Sequence, residues 1–187
     1  YVASYNGRVD VVGLLLSKGE IDINKAQKDG ATALYMASQI GHFEVVQLLL
    51  SKSDIDINKA CDDGCTALFI ASEFGHVKIV HLLSSKSEID INKAMIDGGT
   101  ALLIASEKGH VEVLRLLLSK SEIDINKASN AGATALILAS LDGHVEVVRL
   151  LLSDSDIDIN KAADDGCTAL SIASFNGHLE VVRLLLS

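Results

Sequence analysis

Asp54, Asp56 and Asn58 stand at alternate positions in SKSDIDINKA, residues 51–60, the spacing with which an acidic loop opens a calcium site. An EF-hand loop also needs Gly six positions and Glu twelve positions from its first ligand. Counted from Asp54 those places hold Lys59 and Cys65, and the geometry fails similarly in the related stretches along the chain. The same residues read better as a short strand and turn, with Ile55 and Ile57 alternating against Asp56 and Asn58.

His42, His76, His110, His144 and His178 invite a metal or proton-relay reading. They recur every 34 residues, one per unit of a repeated sequence. Helices of stacked units lie about 8–10 Å apart, whereas ligands at about 2.1 Å from one zinc sit within about 4 Å of each other. The histidines are too far apart to share an ion. His81 is expected on a solvated face. Cys61 and Cys65 are four residues apart without two further zinc ligands nearby, and Cys65 and Cys167 fall three units apart, too far for a bridge within one chain. No Gly-x-Ser-x-Gly elbow, phosphate-binding glycine loop or His-Glu-x-x-His is present. No unit carries a polar cluster of its own, so the sequence offers no catalytic residues, no metal ligands and no cofactor site.

What these residues sit in is one unit written repeatedly. Asn24, Asn58, Asn92, Asn126 and Asn160 are each followed by Lys-Ala and spaced by 34 residues. Residues 1–23 are a partial unit, 24–57, 58–91, 92–125 and 126–159 are full units, and 160–187 is a last, truncated one. Such a period implies a repeat architecture. Within a unit Thr32 can cap a short helix beginning at Ala33, Gly41 suits its left-handed end, and a second helix starts near His42. Val45, Leu48 and Leu49 form an apolar stripe on that second helix. Glu112 with Arg115, Glu146 with Arg149 and Glu180 with Arg183 mark its outer face. Asp29-Gly30, Asp63-Gly64, Asp97-Gly98 and Asp165-Gly166 mark hairpin-like turns. A single unit cannot bury its own stripe, so the units must stack side by side. The expected fold is an all-α helix-turn-helix solenoid with short β-turn or hairpin loops.

GATALYMASQIGH, GCTALFIASEFGH, GGTALLIASEKGH, GATALILASLDGH and GCTALSIASFNGH closely resemble the ankyrin repeat, whose pattern is Gly-x-Thr-Pro-Leu-His-x-Ala-Ala-x-x-Gly-His. The resemblance covers the whole chain. It departs in having Ala33, Ala67, Ala101, Ala135 and Ala169 where the family has Pro, and Tyr35, Phe69, Leu103, Ile137 and Ser171 where it has His. The unit is 34 residues rather than 33, the extra residue lying in the Ser-Lys-Ser-x-Ile-Asp-Ile loop.

Positions alike in every unit are those that stacking demands, and positions that differ are free for something else. The variable positions include the turn tips and the residues that end the first helix. In ankyrin proteins these line a concave groove that engages partners. The resemblance therefore implies a partner-binding set of Tyr5, Tyr35, Gln39, Ile40, Phe69, Glu73, Phe74, Ile96, Leu103, Glu107, Lys108, Ile137, Leu141, Asp142, Phe175 and Asn176. Tyr35, Phe69, Leu103 and Ile137 also stand where they could pack between units, and both roles stay open.

The chain is 49% hydrophobic and 22% charged, which suits a folded protein. Three cysteines, an odd number, and no secretory leader point to an intracellular, cytoplasmic setting. A net charge of −9 argues against nucleic acid, and no apolar run is long enough to insert in a membrane. The expected function is non-enzymatic protein binding, with a partner-free spacer or a regulatory region of a larger enzyme as alternatives. The chain starts inside a first helix without an initiator Met and ends after Leu184, Leu185 and Leu186. Either further repeats in a longer polypeptide or end-to-end self-association through uncapped terminal units is expected from this.

Overall fold

The computed structural model of the chain describes residues 1–19 and 21–187. Twelve helices and no strands are present among them, two helices to each unit. The partial unit holds α1 (Val2–Tyr5) and α2 (Val9–Leu16), and the next α3 (Ala33–Ile40) and α4 (Phe43–Leu49). Then follow α5 (Ala67–Glu73) and α6 (Val77–Ser84), α7 (Ala101–Glu107) and α8 (Val111–Leu118), and α9 (Ala135–Leu141) and α10 (Val145–Leu152). The last unit holds α11 (Ala169–Phe175) and α12 (Leu179–Leu185). First helices pack against neighbouring first helices and second against second, so the array is two layers deep.

Local chemistry sets the helix bounds. Thr32, Thr66, Thr100, Thr134 and Thr168 each accept from the backbone N–H three residues on, at 3.1–3.3 Å, satisfying a donor that the first turn leaves free. Gly41 ends α3 with φ of 91°, and a Cβ there would lie 2.7 Å from the His76 ring of the next unit. Glycine is required twice over at that position, once by the backbone and once by the neighbour. The apolar stripe then stacks: Leu34, Leu68, Leu102 and Leu136 from first helices and Val45, Ile79, Val113 and Val147 from second helices are all buried in one continuous core.

Polar side chains join one unit to the next. His42 Nε2 donates to Tyr5 O at 2.9 Å, and His76, His110, His144 and His178 do the same to Gln39, Glu73, Glu107 and Leu141. These histidines bond backbone at a helix start, as the ankyrin resemblance implies, and the carbonyl belongs to the preceding unit.

The Ile-Asp-Ile stretch corrects the strand reading. Ile57 is buried and Asp56 exposed, so the inside-out alternation holds, but the backbone runs through successive turns and pairs with no ladder. The asparagine of each unit takes the ladder's place. Asn58 Nδ2 donates to Glu88 O at 2.6 Å and its Oδ1 accepts from Asp90 N at 2.8 Å, clamping the following loop. Asn24, Asn92 and Asn126 repeat this clamp. Asp56 Oδ1 accepts from Asn58 N at 3.1 Å, which aims the clamp. The residues with calcium-like spacing thus shape the loop and fasten it. At the turn tips a single backbone bond crosses each junction, as from Asp62 N to Asp29 O at 3.0 Å.

Candidate protein-binding surface

The surface of interest is built from the ends of α3, α5, α7 and α9 and the turn tips beside them. Each tip is a tight hairpin: Gly64 N donates to Cys61 O and Cys61 N to Cys65 O, both at 2.9 Å, with Gly64 at φ of 84°. The glycine lets the chain reverse and brings residue 65 back toward the start of α5.

The expected partner-binding residues fall into three groups. Ile40, Phe74, Ile96 and Leu141 are 42%, 52%, 71% and 39% exposed, high values for large apolar side chains, and Tyr5, Lys108, Asp142, Phe175 and Asn176 are exposed as well. Tyr35, Gln39, Glu73 and Glu107 are half-buried. Phe69, Leu103 and Ile137, at 8%, 2% and 6%, are buried and offer a partner almost nothing. They belong to the packing between units: Phe69 Cε2 lies 3.5 Å from where a Cβ on Gly99 of the next turn would sit.

Phe69 also anchors a small apolar cluster separate from the main core. Cys65, Phe69 and Ile70 form its buried floor, and Tyr35, Cys61, Met95 and Ile104 pack on it half-exposed. Cys61 and Met95 vary between units, as tips do, and were legible as variable turn-tip positions, though their packing on this cluster was not. Ile70 and Ile104 were hidden, since Met36, Leu138 and Ile172 are apolar at the same place and every unit reads as core.

Burial dominates the chemistry of this floor. It pushes the Cys65 thiol up to about 12, with the nearby Cys61 and Glu73 adding to the shift while the Tyr35 hydroxyl opposes it. Burial, with Cys65 and Glu73 near, likewise raises the Tyr35 hydroxyl above its ordinary range. All three cysteines are free, and a buried neutral thiol is a poor nucleophile. Lys108 Nζ lies 2.7 Å from Glu107 Oε1, and that pairing raises its ammonium, with Glu73 and Asp142 contributing from the adjacent first helices. The Phe74 ring stacks on the His76 imidazole with centroids 6.2 Å apart, which holds it in place while leaving its far face in solvent. Exposed apolar side chains on a rigid frame, beside charged ones, can hold a protein segment. None of the described helices is long and apolar enough to cross a membrane.

The family described as ankyrin repeats in three copies matches residues 1–95, 87–163 and 129–187. Two solved structures are similar over nearly the full length. One is EF0377, an ankyrin repeat protein, with 26% identity and a TM-score of 0.92, covering 99% of this chain and 94% of its own. The other is the ankyrin repeat domain ABAYE2397 from Acinetobacter baumannii AYE, with 29% identity and a TM-score of 0.87 over the same shares. No curated protein sequence matches. Ankyrin repeats are generally protein-interaction modules, and proteins of the family are typically non-enzymatic. With the family matched from end to end and its stacked architecture present, this chain belongs to the ankyrin-repeat family.

Proposed function

We propose that the chain is a non-enzymatic protein-interaction module that binds a partner protein through its first-helix ends and turn tips. The observation that carries this is the exposure of Ile40, Phe74, Ile96 and Leu141 at positions that stacking does not use. A core-forming residue would be covered by the next unit, as Leu34 and Leu68 are. These four keep 39–71% of their surface in water, so a partner that covers them can recover roughly 0.6–2 kcal/mol each. A spacer with no partner has no use for such side chains at variable positions.

The test is selection of binders from a displayed peptide and protein-domain library against the immobilised chain, followed by rebinding to F74A and L141A. The expected result is at least tenfold weaker capture with thermal stability unchanged. Binders that recognise α6 and α8 on the opposite side, with no loss in F74A or L141A, refute the assignment of the surface. Large unfolding of F74A would return Phe74 to the core.

A further inference from the structure

The charge on this surface identifies the kind of segment it takes. The turn tips carry Asp29, Asp62, Asp63, Asp97, Asp164 and Asp165, against Lys28 as their one cation. Turn chemistry accounts for part of this set. Asp29, Asp97 and Asp165 accept backbone N–H groups from Ala31, Gly99 and Cys167 at 2.8–3.1 Å, the ordinary work of an aspartate in a tight turn. Asp62, Asp63 and Asp164 are exposed, and their carboxylates make no hydrogen bond or ion pair among the described residues. The turn does not need these three.

A second acidic row runs along the first-helix ends. Glu73, Glu107 and Asp142 come from successive units and surround the single cation Lys108, close enough that all three raise its ammonium. The half-exposed floor of Tyr35, Cys61, Met95 and Ile104 draws on the same tips and first helices, and Phe74 and Ile96, next in sequence to Glu73 and Met95, are exposed. The opposite side of the molecule is balanced instead: Glu112, Glu146 and Glu180 lie 2.9–3.7 Å from Arg115, Arg149 and Arg183. The loops between units carry further acids, such as Asp54, Asp56, Glu88 and Asp90, so negative charge is not confined to one side. The tip and helix-end carboxylates are the part of it that stands next to exposed apolar side chains such as Phe74 and Ile96 in the sequence. Like charges gathered around a floor of low dielectric attract a cation-bearing partner and repel an anionic one.

We infer that this surface binds a basic segment of a partner protein: a few apolar side chains seated on the floor around Phe69, flanked on both sides by Lys or Arg facing the two acidic rows. The inference rests on the interaction reading above and specifies its partner. Lysine and arginine ammonium and guanidinium groups would pair with Asp62, Asp63 and Glu73, whose carboxylates make no hydrogen bond or ion pair among the described residues. The apolar residues would cover Phe74, Ile96 and Met95. Contacts of both kinds are needed, since exposed ion pairs alone contribute little.

A panel of labelled synthetic peptides tests this by fluorescence anisotropy. Each has about 12 residues, enough to span roughly 40 Å when extended, or four unit spacings. One alternates Leu with Lys and Arg, a second carries Glu in place of the cations, a third carries Ser, and a fourth keeps the cations but has Ser for Leu. The basic apolar peptide should bind at least tenfold tighter than each of the others. Its affinity should fall by at least tenfold in D62N/D63N/E73Q and in F74A/I96S, and weaken as salt rises. Asparagine and glutamine keep the shape and the acceptor oxygen, and circular dichroism checks that both variants remain folded. Equal or tighter binding of the Glu or Ser peptide, lost in F74A/I96S, overturns the basic-partner inference and leaves the interaction reading standing. Binding of the basic peptides that F74A/I96S does not weaken is charge attraction without a seat and overturns the inference. Failure of the basic apolar peptide to bind overturns it too, while the library selection decides the interaction reading separately.

Discussion

Replacing Asn92 by Ala removes one complete clamp between neighbouring units. Its Nδ2 donates to Glu122 O at 2.6 Å and its Oδ1 accepts from Asp124 N at 3.0 Å, both across the junction to the next unit. A hydrogen bond of this kind is worth about 0.5–1.5 kcal/mol net, so two lost bonds bound the effect at about 1–3 kcal/mol. Glu122 and Asp124 are exposed and water can replace part of what is lost, which places N92A in the lower half of that range, at about 1–2 kcal/mol. Asn160 is the internal control. It has the same sequence setting, and its side chain makes no hydrogen bond among the described residues. N160A should therefore change stability by less than about 0.5 kcal/mol, as surface substitutions do. Urea denaturation followed by circular dichroism measures both, with hydrogen exchange of the loop amides near Asp124 reporting the junction itself. Repeat arrays can unfold in parts, so the exchange data decide where a loss falls. Equal losses in N92A and N160A, or none in N92A, would refute the clamp.

The glycine that ends each first helix supports a second paired comparison. G109A should cost about 1–2 kcal/mol for a left-handed alanine and more for moving His144, whose ring lies 2.8 Å from the new Cβ. G177A, with a similar φ and open space around it, should cost the backbone part alone, and denaturant melts would show the gap. Ser140 is fully buried with no partner for its hydroxyl, so S140A should hold or raise the melting temperature; S106A, which loses a 2.7 Å bond to Leu102 O, should not. The pH dependence follows from the raised Cys65 thiol. The folded chain keeps that proton up to about 12 while the unfolded chain releases it near the ordinary value of 9.0, so stability falls as pH rises through that window. C65A should flatten the fall, as read in melts taken between those values.

Capping and chain reversal were legible in the sequence because they are decided within a few residues. Thr32 three positions before Tyr35, and Gly41 at a helix end, do locally what their types dictate. The clamp made by Asn58 was not legible, because its partners Glu88 O and Asp90 N lie 30 and 32 residues away and are backbone atoms that any residue supplies. For the same reason Ile-Asp-Ile suggested a strand: alternation reveals which side chains face inward but not whether a backbone neighbour is present to pair. Phe69, Leu103 and Ile137 depended on the turn of the following unit, since whether a helix residue is covered is decided by what lies over it. Ile40, Phe74, Ile96 and Leu141 lie at variable positions clear of that cover and are exposed.

The central claim is that stacking uses the recurrent residues while the variable ones at first-helix ends and turn tips meet the partner. Amide and methyl NMR shifts, followed as the basic apolar peptide is titrated in, test it most directly. Changes concentrated at Ile40, Phe74, Met95, Ile96, Ile104 and Leu141 are the expected result. Changes concentrated on α4, α6, α8 and α10 instead, with the turn tips silent, would contradict it.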